Sequence, residues 1–184
     1  ILAQASCLCS SLCSSLVSME RSKTIFDAPL SRRSEVSLSG FCFLFNEVVD
    51  YCLKKVNDMS ELEARLHDVG KPVGSRVLDL YCLRENRNRR ETRLLPMLNF
   101  VAQTVWKQLF GHPADLLKGQ DRENDYMLND KALVVNRFVS VPRDSNVNCG
   151  AFVAGIVEGL LRAAEFPCTA TAHTVEEPGG TSTT

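Results

Sequence analysis

Residues 147–164 read VNCGAFVAGIVEGLLRAA, and the rest of the fold has to accommodate this stretch. Asn148 is suited to cap a helix running from Cys149 to Ala164. Small residues recur along that helix, among them Gly150, Ala151, Ala154, Gly155 and Gly159. A glycine in a helix interior costs about 1 kcal/mol relative to alanine, so glycines retained there imply close backbone approach to a sheet or another helix. Glu158 and Arg162 stand four residues apart and read as an ion pair on the solvent face. The two charges, and a length short of the ~20 apolar residues of a spanning helix, make it no membrane segment. No other stretch is long and apolar enough either.

Working outward, Phe41, Phe45, Val48, Cys52 and Val56 follow the i, i+4, i+7 spacing of one helical face between Ser37 and Val56, with Ser39 as N-cap. Cys42, Val49 and Leu53 form a second apolar row, and Phe43 and Leu44 make the first half apolar nearly all round. Such a helix needs cover on two sides, one from its own core and the other from a partner or, if its own fold encloses it wholly, from the same chain. Ser60-Glu61-Leu62-Glu63 has capping-box spacing and predicts a short helix that buries Leu62, Leu66 and Val69 and stops at Gly70, before Lys71-Pro72. A third helix carries Val73, Val77, Leu80 and Tyr81 inward and ends near Arg84. Another begins near Pro96, with Leu94, Leu98, Val101, Val105 and Leu109 on one stripe, Trp106 in the core and Gly111 as its end. Residues 125–128 and 133–141 are rich in β-formers and predict a hairpin turning at Asn129-Asp130. CTATAHTV, residues 168–175, alternates like a final strand. The class is α+β.

Composition narrows the function. The chain has 184 residues, 45% of them apolar and 23% charged, with a net charge of −1. That removes the broad positive field of a nucleic-acid binder, and no nucleic-acid partner is expected. Between Arg84 and Arg93 there are five arginines, Arg84, Arg87, Arg89, Arg90 and Arg93, and two glutamates. This basic run suits a solvated loop or a contact with an anionic membrane surface. Without interleaved aromatics it does not suit base stacking.

Eight cysteines contain no CxxC pair and the three histidines are isolated, so neither a metal nor a cofactor is expected. Scattered through apolar runs, the cysteines read as reduced packing residues. Cys149, at a helix start and followed by Gly150, also raises the alternative of a cysteine hydrolase, with the helix dipole favouring thiolate. His67 and His112 are the available bases, neither in a distinctive context.

The opening ILAQASCLCSSLCSSLVSME lacks a basic n-region, and its first Met is Met19, so it reads as upstream sequence carried along rather than as a signal peptide. EEPGGTSTT at the other end has nothing to bury. The expected organisation is a disordered leader over 1–33, in part foreign to the natural chain, one domain over 34–175 and a disordered tail over 176–184.

The series RSEVSLSGFCFLFNEVVDYC (33–52), KPVGSRVLD (71–79), RRET (89–92), FVAQTVWKQLFG (100–111), FVSVPRDSNVNCGAFVAGIVEG (138–159) and FPCTATAH (166–173) resembles the small-subunit family of the transport protein particle (TRAPP) complex. The resemblance implies a helix layer on a twisted antiparallel sheet. It further implies pairing with a second small subunit through the first two helices, here Phe41, Leu44, Phe45, Val48, Leu62 and Leu66. The implied setting is a tethering assembly that acts in endoplasmic reticulum to Golgi traffic, peripheral to the cytoplasmic side of the endoplasmic reticulum and cis-Golgi, and activates a Rab GTPase. The implied role is a scaffold subunit without chemistry of its own. Two departures stand out. The family's acylated cysteine aligns with Arg90, while Cys82 lies well before it, so acylation is not carried over. The family's last apolar strand is replaced by TVEEPGGTSTT, so the C-terminal strand is missing from this reading.

Overall fold

The computed structural model describes residues 37–85, 91–119, 125–137, 139 and 147–174. The expected leader, the tail from 176, residues 138, 140 and 141 of the second predicted strand, and Arg87, Arg89 and Arg90 lie outside them. The elements in order are α1 (Leu38–Leu53), α2 (Met59–Glu85), α3 (Leu94–Phe100), a π-helical segment (Val101–Val105), α4 (Trp106–Phe110), β1 (Asp115–Lys118), β2 (Tyr126–Asn129), α5 (Val134–Arg137) and α6 (Gly150–Ala163). The α+β class holds.

Helix α1 begins two residues earlier than expected: Ser37, not Ser39, is the N-cap, its hydroxyl accepting from the Gly40 amide. The larger difference is α2. The two helices expected on either side of Gly70-Lys71-Pro72 are one helix of 27 residues with Pro72 inside it. An interior proline costs about 3 kcal/mol through a lost N–H and a ring clash. The compensation is packing. An ideal Cβ placed on Gly70 or Gly74 would stand 2.2 Å from the Phe152 carbonyl oxygen and 2.0 Å from that of Ile156. A Cβ on Gly155 or Gly159 of α6 would stand 2.0 Å from the carbonyl oxygens of His67 and Lys71. The glycines are therefore reciprocal, two per helix at a spacing of four, and the two backbones touch. Their Hα atoms aim at carbonyls of the facing helix, the geometry of weak Cα–H···O contacts. Gly70 is a contact residue, and no helix end is needed there. Val69, expected inside, is 37% exposed because it faces away from this crossing.

The core lies on both sides of the crossing. One part gathers Phe45, Val49, Cys52, Leu62, Leu66, Trp106, Val135, Cys149 and Val153; the other gathers Met97, Leu98, Val101, Val105, Leu160 and Leu161. Each buried leucine of this kind contributes about 1.5–3 kcal/mol. Helices α3 and α4 run on through the π-helical segment to Gly111, whose φ of 84° ends the rod as expected. The Ala102 carbonyl accepts from the Ala114 amide at 3.0 Å, which ties the returning chain to the rod. Ala102 and Ala114 are both fully buried.

The hairpin is shifted from its expected place. β2 pairs antiparallel with β1, Leu116 opposite Leu128 and Leu117 opposite Met127. Residues 134–137 form a helical turn instead of a strand. Asp130 explains the change: its carboxylate accepts from the Ala132 amide at 2.9 Å and from Trp106 Nε1 at 2.8 Å, which turns the chain towards the core. Residues 166–174 show largely alternating burial but form neither helix nor strand, so the expected final strand is not found among the described residues.

Candidate interaction surface

Helix α1 divides its apolar side chains between two jobs. Phe45, Val49 and Cys52 repeat at i, i+4, i+7 and are buried. Phe45 meets Phe152 of α6 with ring centroids 5.3 Å apart, and Phe41 stacks on Phe45 at 5.9 Å. Phe41 and Val48 are half-buried at the margin of this row. Beyond them Leu44 is 65% and Tyr51 58% exposed. With spacings of three, four and seven, Phe41, Leu44, Val48 and Tyr51 form one stripe along the helix. Lys55 lies over the Tyr51 ring, 4.1 Å from its centroid, and donates to its hydroxyl, which fixes the ring at the surface. Phe43, 74% exposed, stands apart among Asn46, Glu47 and Asp50.

Of the six residues expected at a partner interface, Leu44 is therefore exposed and Phe41 and Val48 are half-exposed. Phe45, Leu62 and Leu66 are 4%, 2% and 0% exposed. They are corrected to the chain's own core, because α6 and the α4 end cover the side that α1 and α2 turn inward. Tyr51 was missed by sequence reasoning, although its spacing of seven from Leu44 would have found it.

At the flank of the α2–α6 crossing lies the one buried charged residue among those described, Glu158, 4% exposed. Its carboxylate is 3.4 Å from Lys71 Nζ, 3.3 Å from His67 Nε2 and 3.5 Å from Arg162, and it accepts from the Ala170 amide at 3.3 Å. The expectation of a solvent-facing pair is thus corrected: Arg162 is exposed, but Glu158, beside Gly159, shares the covered face. Burial pushes the Glu158 carboxyl up, and the Ala170 N–H with the Lys71 and His67 charges outweighs this and holds it below the ordinary range. An open cleft of about 320 Å3 beside it is lined by Lys71, Pro72, Ser75, Glu158 and Arg162. Its cations already share Glu158. The ion network joins α2, α6 and the C-terminal segment.

Cys149 does not have the surroundings of a nucleophile. It is 2% exposed, and burial together with the nearby Glu63 carboxylate pushes its thiol up, away from thiolate. Glu63 accepts the Asn148 amide at 2.7 Å, and Asn148 Oδ1 accepts that of Gly150 at 2.8 Å, so Asn148 holds the first turn although the N-cap position is Cys149, which makes no side-chain cap bond. The candidate bases are engaged elsewhere, His67 beside Glu158 and His112 with Asp130. The hydrolase alternative loses its geometry. Among the described residues no cluster of three His, Cys, Asp or Glu is placed to hold a metal. No described helix is long and apolar enough to cross a membrane. Of the basic run, Arg84 is half-buried near the end of α2 and Arg93 is exposed just before α3.

A protein-family model described as "Transport protein particle (TRAPP) component" matches residues 41–184. Trafficking protein particle complex subunit 5 of Dictyostelium discoideum is 48% identical over 158 residues, 84% of this chain and 85% of that protein. The subunit 5 of Gallus gallus is 45% identical over 152 residues, 81% of either chain. Among solved structures, a trafficking protein particle complex subunit 3 from Naegleria fowleri, covalently bound to palmitic acid, matches with a TM-score of 0.60 at 16% identity. It covers 69% of this chain and 79% of that one, a likeness of fold.

Proposed function

Because the chain belongs to the transport protein particle (TRAPP) component family, we propose that it is a non-catalytic scaffold subunit of a TRAPP vesicle-tethering complex. Its partners are other TRAPP subunits, and it sits peripherally on the cytoplasmic side of the endoplasmic reticulum and cis-Golgi. In this reading it supports transport between them and the activation of a Rab GTPase by the assembled complex.

The observation that carries the reading is the stripe Phe41, Leu44, Val48 and Tyr51 on α1. It is contiguous and apolar, and half of it is open to solvent while the neighbouring row is packed into the core. A patch of this kind on an ordered helix marks a contact surface. Burial of Leu44 and Tyr51 against a second small subunit would contribute about 1.5–3 kcal/mol each. The names of the relatives, subunits of a trafficking complex, support the identity of the partner.

The test is co-expression with a small TRAPP subunit, followed by size exclusion and titration. The wild-type chain forms a stoichiometric complex. Leu44→Asp combined with Tyr51→Asp weakens it by about 3 kcal/mol, more than a hundredfold in Kd. A well-behaved monomer with no affinity for any TRAPP subunit would sink the proposal.

A further inference from the structure

His112 follows directly on Gly111, in the turn between α4 and β1, and both of its ring nitrogens are engaged. Nδ1 is 3.1 Å from the carbonyl oxygen of Phe110, and Nε2 is 2.9 Å from Oδ1 of Asp130. Neither partner has a proton to give. The Phe110 carbonyl is one of the last in its helix, without an intrahelical donor. The Asp130 carboxylate is nearly enclosed, 5% exposed, and already accepts N–H donors from Trp106 and Ala132. A neutral imidazole carries one N–H and satisfies one of these acceptors while turning a lone pair on the other. Only the doubly protonated ring satisfies both.

We propose that His112 is a proton-dependent clamp: its imidazolium bridges the end of α4 to the turn after β2, and loss of one proton breaks one arm of the bridge. Asp130 is the charged group that acts on the ring from the hairpin side, and α4 contributes the Phe110 carbonyl. A cation at a helix C-terminus is also favoured by the helix dipole. The bond to Asp130 raises the affinity of His112 for its proton; partial burial lowers it to a lesser extent, and the Asp130 charge and the Phe110 carbonyl add to the rise. Burial pushes Asp130 up, but the Ala132 N–H, His112 and Trp106 outweigh it and hold the carboxyl below its ordinary range, so the shared proton belongs to the ring. The ring is 39% exposed and has room to swing outward when the bridge opens. Asp130 then keeps Trp106 and Ala132, so the turn stays anchored, and Ala114 stays tied to Ala102, while the segment from Gly111 to Pro113 slackens. The affinity for protons is raised in the folded state, so the clamp's stabilisation is complete below the unfolded value. It is lost as pH rises through the folded one.

The experiment uses the full chain, 15N-labelled and co-purified with its small-subunit partner. Long-range imidazole spectra are recorded between pH 5 and 9.5, with the His112 signals assigned by their loss in His112→Gln. Two protonated ring nitrogens at pH 6.5 and a midpoint above 6.5, the ordinary value, support the clamp. So does a fall of that midpoint in Asp130→Asn. The thermal stability gap between wild type and His112→Phe should also narrow as pH rises. A single neutral tautomer at pH 6.5, a midpoint at or below that value, or a midpoint unmoved by Asp130→Asn overturns it.

Discussion

Replacing Gly159 by alanine adds one methyl group at the α2–α6 crossing. That carbon would stand 2.0 Å from the Lys71 carbonyl oxygen, 2.7 Å from its carbon and 2.8 Å from Lys71 Cα. Real Cβ atoms essentially never stand closer than 3.0 Å, so the backbones must part by at least 1 Å at this point. All three neighbours are main chain and cannot swing aside. A gap of that size forfeits roughly a quarter to a half of each dispersion contact across it. Overpacking of this kind costs about 1–3 kcal/mol and occasionally more, while alanine returns about 1 kcal/mol of helix propensity. With three backbone clashes the upper end applies, and after the propensity return the expected net loss is about 2 kcal/mol. For a chain of this size that lowers the melting temperature by about 4–8 °C. Gly40→Ala is the control. Its Cβ meets only Ser37 Cβ at 3.8 Å and Ser37 Oγ at 4.0 Å, so the propensity gain of up to about 1 kcal/mol is kept and melting rises slightly. Both are read by thermal unfolding of the chain co-purified with its partner at fixed protomer concentration, since association contributes to the midpoint. A Gly159→Ala protein that melts within 2 °C of wild type, where about 4 °C is the least expected, would refute the reciprocal-glycine argument.

Other consequences are open to direct measurement. Glu158→Gln removes the charge that Lys71, His67 and Arg162 share and should cost about 1–3 kcal/mol near neutral pH. Because the folded carboxyl is held below 4.5, its stabilisation is present above that value and fades as pH falls through the folded one, so the gap to wild type in urea unfolding should close in acid. A gap that persists at the acid end would count against the network. Trp106→Phe leaves Asp130 Oδ2 without its donor in a nearly enclosed site, a loss of about 1–3 kcal/mol that calorimetry should register. Iodoacetamide at neutral pH, followed by peptide mapping, should label the exposed Cys82 well before Cys52 and Cys149, whose thiols are buried and pushed up. Equal labelling of Cys149 would reopen its claim to reactivity.

Much of the helical layer was legible because its signals are local. Period 3.6 and end residues placed α1, the long rod ending at Gly111 and α6 to within a few residues. The small residues of 147–164 announced a close approach, although not which element approached. That omission produced the mistaken break in α2: Gly70 and Pro72 look like punctuation to a local reading, and only the facing α6 backbone at Phe152 and Gly155 turns Gly70 into a contact. Glu158 was misplaced for a related reason. Spacing of four relates it to Arg162 but says nothing about which side of the helix is covered. The hairpin slipped because Asp115-Leu116-Leu117-Lys118 contains no β-branched residue to mark it as a strand. Meanwhile the β-branched run after Asp130 was recruited into a helical turn by a side chain bonded to Trp106. At the interaction surface, hydrophobic count alone could not separate Phe45, which faces the core, from Leu44, which does not.

The reciprocal glycines also constrain how the chain is made. By itself α2 is a poor helix: Gly70, Pro72 and Gly74 together cost about 5 kcal/mol of propensity, and its compensation lies in α6. The bond between Asn148 and Glu63 spans 85 residues. During synthesis the middle of α2 therefore leaves the ribosome long before the segment that completes it. Until α6 emerges there is no facing backbone to repay that cost, and formation of this core must wait for closure of a long loop. In that interval the nascent chain carries exposed apolar rows, so chaperone dependence should concentrate late in translation, between the emergence of Glu85 and that of Ala163.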